Sequence, residues 1–286
     1  MAYPAILNEL GRGEPVQLKG IGGGCIADAR VATFADGSSV FVKCAAGTPG
    51  MFEREAEGLR ALASTAAIRI PEVLAVGEEA QVLEMIHEAP KKDGFFESFG
   101  RAFAKLHDHR GPSFGFPHDN FIGSTPQCNQ PMDESGWPEF FLERRLRFQA
   151  NLAASRGHGH EIENLLDRAE QRMVELLGAA PELPSILHGD LWSGNFIVDE
   201  RGEACLIDPA AYYGHREADL AMTRLFGGFG TEFYAAYDEA SPLAPGHEDR
   251  LSIYQLYHLL NHLNLFGSAY YAQSMRILQR YANQWK

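Results

Sequence analysis

The fold is decided by residues 187–210, LHGDLWSGNFIVDERGEACLIDPA. This stretch contains Asp190, then Asn195 five positions later and Asp208 eighteen positions later. Between the last two, residues 196–208 form two short apolar runs on either side of Arg201-Gly202, which predicts a β-hairpin. Carboxylate and amide oxygens at the two ends of one hairpin are ligands of the kind that Mg²⁺ prefers.

The spacing His188-Gly189-Asp190-x-x-x-x-Asn195 matches the catalytic-loop pattern H-R-D-x-x-x-x-N of protein-kinase-like enzymes. In such a site one carboxylate orients the attacking hydroxyl and takes its proton. A second carboxylate and an amide oxygen hold Mg²⁺ against the phosphates. The alternative is that Asp190, Asn195 and Asp208 are unrelated polar residues in turns. That interpretation would leave a glycine cluster and a lysine upstream in the chain without a common explanation.

The glycine cluster is GIGGGC, residues 20–25, within a segment (16–43) that alternates polar and apolar residues and turns at Asp36-Gly37. Backbone N–H groups approach a phosphate closely where side chains are absent. A Rossmann or Walker loop would be followed by a helix, and no GK[ST] is present. Here the pattern predicts strand, Gly-rich turn, strand, hairpin and strand, which is how kinase-like folds cover nucleotide phosphates.

That interpretation requires a lysine on the next strand and a helical glutamate to pair with it. Lys43 ends the apolar strand SSVFVK, where the alternative is a lysine that extends to solvent. The segment 50–64 has helical spacing and carries Glu53, Glu55 and Glu57. The residues alone do not choose among the three.

The rest of the chain divides into a strand-rich and a helical part. Strands are predicted over 68–76 and 81–86, and a short helix over 1–12. Helices are predicted over 98–109, 137–154, 161–177 and 250–267, with a loop over 111–136. The expected class is therefore α+β, with a small N-lobe (1–88) of antiparallel sheet plus helix and a larger, mainly helical C-lobe (89–286).

Composition excludes several classes. The 286 residues include 25 Lys plus Arg and 38 Asp plus Glu, a net charge of −13, which disfavours binding to nucleic acid or to an anionic membrane.

The four cysteines form no CxxC pair, so neither zinc spacing nor a disulfide framework is indicated. His258 and His262 lack an evident third metal ligand. Without a signal-peptide or membrane-spanning pattern, we expect a cytoplasmic protein.

HGDLWSGN followed by IDPAAYYGHREADLA closely resembles the fructosamine kinase (ketosamine-3-kinase) family. That family belongs to the protein-kinase-like superfamily and is related to aminoglycoside phosphotransferases. The resemblance covers nearly the whole chain, since GGGCIADARV is similar to the family's nucleotide loop and MFEREAEGLRAL to its first N-lobe helix. It implies the two-lobe protein-kinase-like fold, with ATP and Mg²⁺ as cofactors.

The resemblance also implies residue roles, as follows: Asp190 as catalytic base; Asn195 and Asp208 as Mg²⁺ ligands; Lys43 on the α/β-phosphates, with Glu55 as its ion-pair partner; Gly22, Gly23, Gly24 and Cys25 in the nucleotide loop; Glu84 and Met85 as the hinge that holds adenine. Two features depart from protein kinases: Cys25 takes the last place of the glycine motif, and the metal motif is Asp-Pro-Ala. Both agree with the fructosamine kinase family.

The implied reaction is ATP-dependent phosphorylation of the sugar 3-hydroxyl of ketosamines, the fructosamine or ribulosamine adducts of amines or protein lysines. The product releases the amine, which implies a role in deglycation repair. One alternative is a kinase of the same fold that acts on an aminoglycoside, an amino alcohol or a sugar. The other is a pseudokinase interaction module, which the presence of Lys43, Asp190, Asn195 and Asp208 together disfavours.

Several further residues have two interpretations. Trp192 contacts substrate or packs the loop, and we favour substrate. His215 is a substrate-side group or a structural histidine, and we favour the structural role. Asp219 and His188 are expected to brace the catalytic loop. Cys25, beside phosphate-binding N–H groups, is a candidate redox switch, so a disulfide-linked dimer through it is the alternative to the monomer that we expect.

Overall fold

The structure, a computed structural model, describes residues 3–21, 28–45, 49–132 and 136–283. The N-terminal elements are listed in chain order: α1 (Tyr3–Asn8), β1 (Gln17–Ile21), β2 (Asp28–Thr33), β3 (Ser39–Cys44), α2 (Met51–Ala63), β4 (Val73–Val76) and β5 (Ala80–Glu84). The strands form one antiparallel sheet in the order β1-β2-β3-β5-β4. The hairpin between β2 and β3 turns at Asp36-Gly37, as predicted, with Gly37 at φ 83°.

The two faces of this sheet have different partners. Alternate residues, such as Val40 and Val42, are fully buried in a small core under α1, together with Ile6 and Leu7. Because successive side chains of a strand point to opposite faces, Phe41 and Lys43 must point the other way, toward the second half of the molecule. Burial of the valines therefore fixes the direction of Lys43.

The second half of the chain is mainly helical. Its helices are listed in chain order: α3 (Phe95–His107), α4 (Trp137–Phe141), α5 (Phe148–Ala153), α6 (Glu161–Gly178), α7 (Glu217–Leu225), α8 (Thr231–Ala240), α9 (His247–Phe266) and α10 (Tyr271–Ala282). Helix α4 continues into α5 through a π-helical segment, Leu142–Arg147. A large apolar core, to which α3, α6, α8 and α9 all contribute, holds these helices together.

Three two-stranded sheets lie among the helices. They pair β6 (Asn120–Ile122) with β7 (Thr125–Gln127), β8 (Ser185–Leu187) with β11 (Tyr212–Gly214), and β9 (Phe196–Val198) with β10 (Ala204–Leu206). The β9–β10 hairpin turns at Arg201-Gly202, with Gly202 at φ 75°, as predicted. The β8–β11 pair brings residue 187, before the catalytic-loop motif, next to residue 212, after the Asp-Pro-Ala motif.

The α+β class with a small sheet lobe and a large helical lobe is confirmed. The predicted boundary between 88 and 89 lies in the segment between β5 and α3, and it stays a prediction. The prediction of a strand over 68–76 is wrong in its first half, because Arg69 pairs with Cys205 of the helical lobe instead of joining the sheet. The predicted loop over 111–136 also holds the β6–β7 hairpin. No helix in the described ranges is long and apolar enough to cross a membrane.

Candidate active site

A cavity of about 780 Å³ lies between the two lobes and brings most of the predicted residues together. From the small lobe it is lined by Lys43, Glu55, Glu84 and Met85, and from the large lobe by Asp190, Trp192, Asn195 and Asp208. The predicted nucleotide-loop residues Gly22, Gly23, Gly24 and Cys25 lie outside the described residues. The roles assigned to them, and the redox hypothesis for Cys25, stay predictions.

Lys43 joins the two lobes at the centre of the cavity. Its side chain is only 11% exposed, and Nζ donates to Glu55 Oε1 at 2.7 Å and to the carboxylate of Asp208. Burial by itself would lower the pKa of Lys43, but the charges of Glu55 and Asp208 outweigh it and raise the pKa. Lys43 is therefore a permanent cation between two carboxylates.

Of the three helical glutamates, only Glu55 reaches Lys43. Helix α2 buries Met51 and Leu59, which lie four residues before and four residues after Glu55 and so on the same helical face. Glu57 instead pairs with Arg54 at 2.6 Å on another face. The choice that sequence left open thus follows from which face of α2 packs inward.

The catalytic loop that follows β8 is tightly packed against the loop after β10. Gly189 adopts φ 82°, and a Cβ there would lie 2.1 Å from the carbonyl oxygen of Ala210, so glycine is required. The N–H of Ala210 donates to the carbonyl of His188 at 2.9 Å. These contacts hold the Asp190 and Asp208 segments side by side.

The His188 ring connects the same two loops. Its Nε2 lies 2.9 Å from the Ile207 carbonyl, and its Nδ1 lies 3.3 Å from the N–H of Asp190. Burial lowers the pKa of His188, so the ring is neutral, donates from Nε2 to Ile207 and accepts at Nδ1 from Asp190. The ring therefore fixes the backbone of the catalytic loop relative to the backbone just before Asp208.

Asp219, near the start of α7, holds the loop from behind. Its carboxylate accepts the backbone N–H groups of His188 at 2.7 Å and Gly189 at 2.8 Å, and lies 3.2 Å from His107 Nε2. Burial alone would raise the pKa of Asp219, but the hydrogen bonds from His107 and Gly189 and the nearby histidines lower it overall. This geometry is the bracing expected of Asp219.

Asp190 itself is held close to Asn195 in the cavity wall, where its side chain is 20% exposed. Asn195 Nδ2 donates to the Asp190 carbonyl at 2.8 Å and lies 3.3 Å from its Oδ2. Burial, together with the charge of Asp208, raises the pKa of Asp190 well above its usual range. A carboxylate with raised proton affinity is suited to accept a proton from a hydroxyl.

The side chains of Asn195 and Asp208 fit a magnesium ion. Because the Asn195 amide nitrogen is used on Asp190, its oxygen is left to act as a ligand. Asp208, at φ 55°, keeps its carboxylate 45% exposed to the cavity beside Lys43. Two oxygen ligands supplemented by phosphate oxygens are the arrangement that Mg²⁺ favours. In the described part of the chain, no group of three or more His, Cys, Asp or Glu side chains could hold a metal, and His258 and His262 belong to no such group.

Glu84 and Met85 line the cavity at the end of β5, but the Glu84 side chain points to an ion pair. It bonds Arg69 at 2.7 Å, and Arg69 also bonds Asp199 of the large lobe at 2.8 Å. The N–H of Glu84 donates to the carbonyl of Glu72 at 2.9 Å. The Arg69 network, which sequence analysis missed, thus ties the two lobes at the back of the cavity.

The two candidate substrate residues have different surroundings. Trp192 lines the cavity, 39% exposed, and a Cβ on Gly194 would lie 2.4 Å from its ring, so the indole lies directly over that glycine. His215 is fully buried away from the cavity, with Nε2 2.9 Å from the Ala180 carbonyl. The geometry of His215 fits the structural role that sequence analysis favoured and gives no support to substrate contact.

The model of the fructosamine kinase family matches residues 5–284. The chain is 41% identical over 274 residues to a chloroplastic protein-ribulosamine 3-kinase of Oryza sativa subsp. japonica, covering 93% of this chain and 79% of the relative. A proposed fructosamine-3-kinase from Haemophilus somnus superposes with a TM-score of 0.86 at 28% identity, covering 97% of each chain. An ADP-bound aminoglycoside phosphotransferase shares the fold, with a TM-score of 0.63 at 11% identity, covering 97% of this chain and 95% of that one.

Proposed function

The chain belongs to the fructosamine kinase family, and from the geometry of its cleft we propose that it transfers the γ-phosphoryl group of ATP to the sugar 3-hydroxyl of ketosamines. The observation that carries this proposal is the convergence of Lys43, Glu55, Asp190, Asn195 and Asp208 on one cavity. Each matches a part that phosphoryl transfer by the protein-kinase-like mechanism requires.

In this mechanism Asp190 orients the acceptor hydroxyl and receives its proton. The hydroxyl oxygen forms the new bond to the γ-phosphorus as the bond from that phosphorus to the β,γ-bridging oxygen breaks, and ADP leaves. Lys43, aligned by Glu55, binds the α/β-phosphates; its contact with Asp208 must open to admit them. Asn195 and Asp208 would hold Mg²⁺, which supplies neutralisation of phosphate charge when bound. Catalysis then depends on positioning and electrostatics and needs no covalent enzyme intermediate.

The nucleotide half of the proposal uses backbone groups. We assign the phosphates to the loop of Gly22, Gly23, Gly24 and Cys25, and adenine to the Glu84–Met85 hinge. Since the Glu84 N–H already donates to Glu72, a base edge would be recognised by the backbone that follows Glu84. The Glu84 side chain then serves the lobe connection through Arg69.

The relatives favour a ketosamine over the other acceptors considered. The rice relative is named for ribulosamine, and a relative from Synechocystis, 42% identical over 237 residues, is named as a probable ketoamine kinase. Similarity to aminoglycoside phosphotransferases is confined to the fold. A role in deglycation, a monomeric state and a cytoplasmic location remain part of the proposal; the rice relative is described as chloroplastic.

The test is ADP release coupled to a spectroscopic readout, with Mg-ATP and ribulosyl-lysine, fructosyl-lysine, free ribulose or an aminoglycoside as acceptor. Asp190→Ala is the blank, because it removes the base and leaves the nucleotide half intact. We expect the wild-type protein to turn over a ketosamine and the Asp190→Ala variant to show no such turnover. Turnover on the aminoglycoside alone would replace the proposal with the alternative acceptor class.

A further inference from the structure

One wall of the cavity carries a continuous row of aromatic side chains that the proposed chemistry does not use. The ring centroids of Trp192 and Phe226 lie 6.3 Å apart, those of Phe226 and His262 4.9 Å, and those of His262 and Phe266 5.4 Å. Tyr270 completes the row, 5.1 Å from His262. All five line the cavity that holds Asp190, and we call them the aromatic wall.

The aromatic wall exposes to solvent large apolar side chains of a kind that folded proteins usually bury. Trp192, Phe226 and Phe266 are 39%, 41% and 51% exposed, and they are three of the seven large hydrophobic residues that stay exposed in the described ranges. A contiguous apolar surface inside a cleft marks a ligand contact. Its position next to Asp190 indicates that the ligand is the acceptor substrate.

Helix α9 sets the direction of this wall. His258 Nδ1 lies 3.9 Å from Asp190 Oδ1, His262 is one helical turn further along, and Phe266 is one turn beyond that. Exposure rises along this row, from the buried His258 to the half-exposed Phe266. The wall thus leads from the reacting carboxylate outward to solvent, over about 12 Å of helix.

The charge around the wall suits a cationic group. Lys43 and Arg54 are the cations among the described residues of the cavity; both lie on the small lobe, and each is paired with carboxylates. Aromatic faces attract ammonium groups and pack against hydrocarbon. A ketosamine offers both an ammonium group and hydrocarbon. Its secondary amine is two carbons from the carbon that carries the reacting hydroxyl, and it carries the substituent of the parent amine.

We propose that the aromatic wall is the subsite for the amine half of the substrate, with the ammonium near Trp192 and an unbranched alkyl substituent, such as a lysine side chain, along Phe226 and Phe266 toward solvent. This inference rests on the proposed function and adds the path that the amine substituent takes along the cleft, with its far end outside the protein.

The test compares the fructosamine of methylamine with that of hexylamine, in wild type, in the double variant Phe226→Ala/Phe266→Ala and in Leu183→Ala. Leu183 is 69% exposed and lies off the cavity, so it controls for loss of an exposed hydrophobic residue. Each methylene that leaves water contributes up to about fourfold in affinity. We therefore expect wild type to have a KM about tenfold or more lower for the hexyl adduct.

The double variant should lose this preference, through a roughly tenfold rise in KM for the hexyl adduct, with KM for the methyl adduct and for ATP within about twofold of wild type. Leu183→Ala should behave as wild type. The subsite is overturned if the double variant still prefers the hexyl adduct. It is also overturned if the wild type shows no preference between the two adducts. Absence of turnover on both adducts in wild type would overturn the proposed function itself.

A second inference comes from two buried polar atoms that face each other without partners. Asp190 Oδ1 and His258 Nδ1 are 3.9 Å apart, and neither has a hydrogen-bond partner among the described residues. An unpaired buried polar group is costly, and one short approach would satisfy both. Burial lowers the pKa of His258 to about 3, so the ring is neutral and carries one N–H.

The geometry points to His258 as a positioning residue that donates from Nδ1 to Asp190 Oδ1 and orients the carboxylate in the catalytic complex. The assignment rests on Asp190 being the base. An asparagine amide nitrogen lies where Nδ1 of histidine lies, so His258→Asn keeps the donor, whereas His258→Leu removes it and fills the space with hydrocarbon. A positioning role and a packing role therefore rank the two variants in opposite order.

We expect kcat to fall about 30-fold in His258→Leu, with KM for ATP unchanged, and to recover to within about threefold of wild type in His258→Asn. Thermal unfolding of both variants shows whether they fold. Wild-type kcat in His258→Leu, or an asparagine variant as slow as the leucine variant, overturns the assignment. Asp190→Asn is measured in parallel, since a near-wild-type rate there would instead refute the base.

Discussion

Replacement of Asp219 by asparagine tests whether the catalytic loop depends on the carboxylate behind it. Oδ2 of Asp219 accepts from the His188 N–H and lies near His107, while Oδ1 accepts from the Gly189 N–H. In asparagine, the single side-chain oxygen can keep only the contacts with the His188 N–H and His107. The NH₂ group then faces the Gly189 N–H. One charge-assisted hydrogen bond is lost, and two buried donors, the Gly189 N–H and the asparagine NH₂ group, are left unpaired.

Hydrogen bonds to charged groups contribute about 1.5–3 kcal/mol, and an unpaired buried donor costs about 1–3 kcal/mol. We therefore expect Asp219→Asn to lower the free energy of unfolding by about 3 kcal/mol. Displacement of Gly189 also displaces Asp190, so kcat should fall about tenfold or more, while KM for ATP changes little.

Urea unfolding and steady-state kinetics measure the two effects. Asp36→Asn is the matched control, because Asp36 also accepts a backbone N–H, from Ser38 at 2.9 Å, but in an exposed hairpin turn. Because that carboxylate is fully exposed to water, its loss of stability should be much smaller than that of Asp219→Asn. Equal stability losses in the two variants, or a full kcat in Asp219→Asn, would refute the reasoning.

Three shorter predictions concern the loop, the ion pair and the metal. Gly189→Ala should abolish turnover, whereas Gly37→Ala, at the same kind of positive φ but with no atom within 4 Å of the added Cβ, should cost only about 1–2 kcal/mol of stability and leave kcat unchanged. Glu55→Gln should weaken ATP binding about tenfold through misalignment of the lysine, while Glu57→Gln should not; isothermal titration with a non-hydrolysable ATP analogue measures the dissociation constant of each variant. Removal of Mg²⁺ by a chelator should stop ADP release, and its return should restore it.

Local patterns predicted the parts of the site that lie within one element or one short loop. Alternation along β3 was enough to place Lys43 on a strand, and the spacing from Asp190 to Asn195 fits within one turn-rich loop. The choice of Glu55 over Glu53 and Glu57 required the resemblance, because it depends on which face of α2 packs inward.

Contacts between distant segments could not be predicted from local patterns. Arg69 was assigned to a sheet strand, yet its backbone pairs with Cys205, more than a hundred residues away. The aromatic wall combines Trp192 of the catalytic loop with residues at the end of α7, at the end of α9 and in the segment after α9. No local pattern predicts that these segments meet. The partner of His258, likewise, is set by how α9 packs against the catalytic loop.

The central claim is tested most directly by the identity of the product. A peptide that carries ribulosyl-lysine is incubated with Mg-ATP and either wild type or Asp190→Asn, and the peptide is examined by mass spectrometry and phosphorus NMR. The account predicts a gain of one phosphoryl group on the sugar 3-oxygen with wild type and none with the variant. An unmodified peptide with the wild-type protein, or phosphorylation that persists without Asp190, would contradict it.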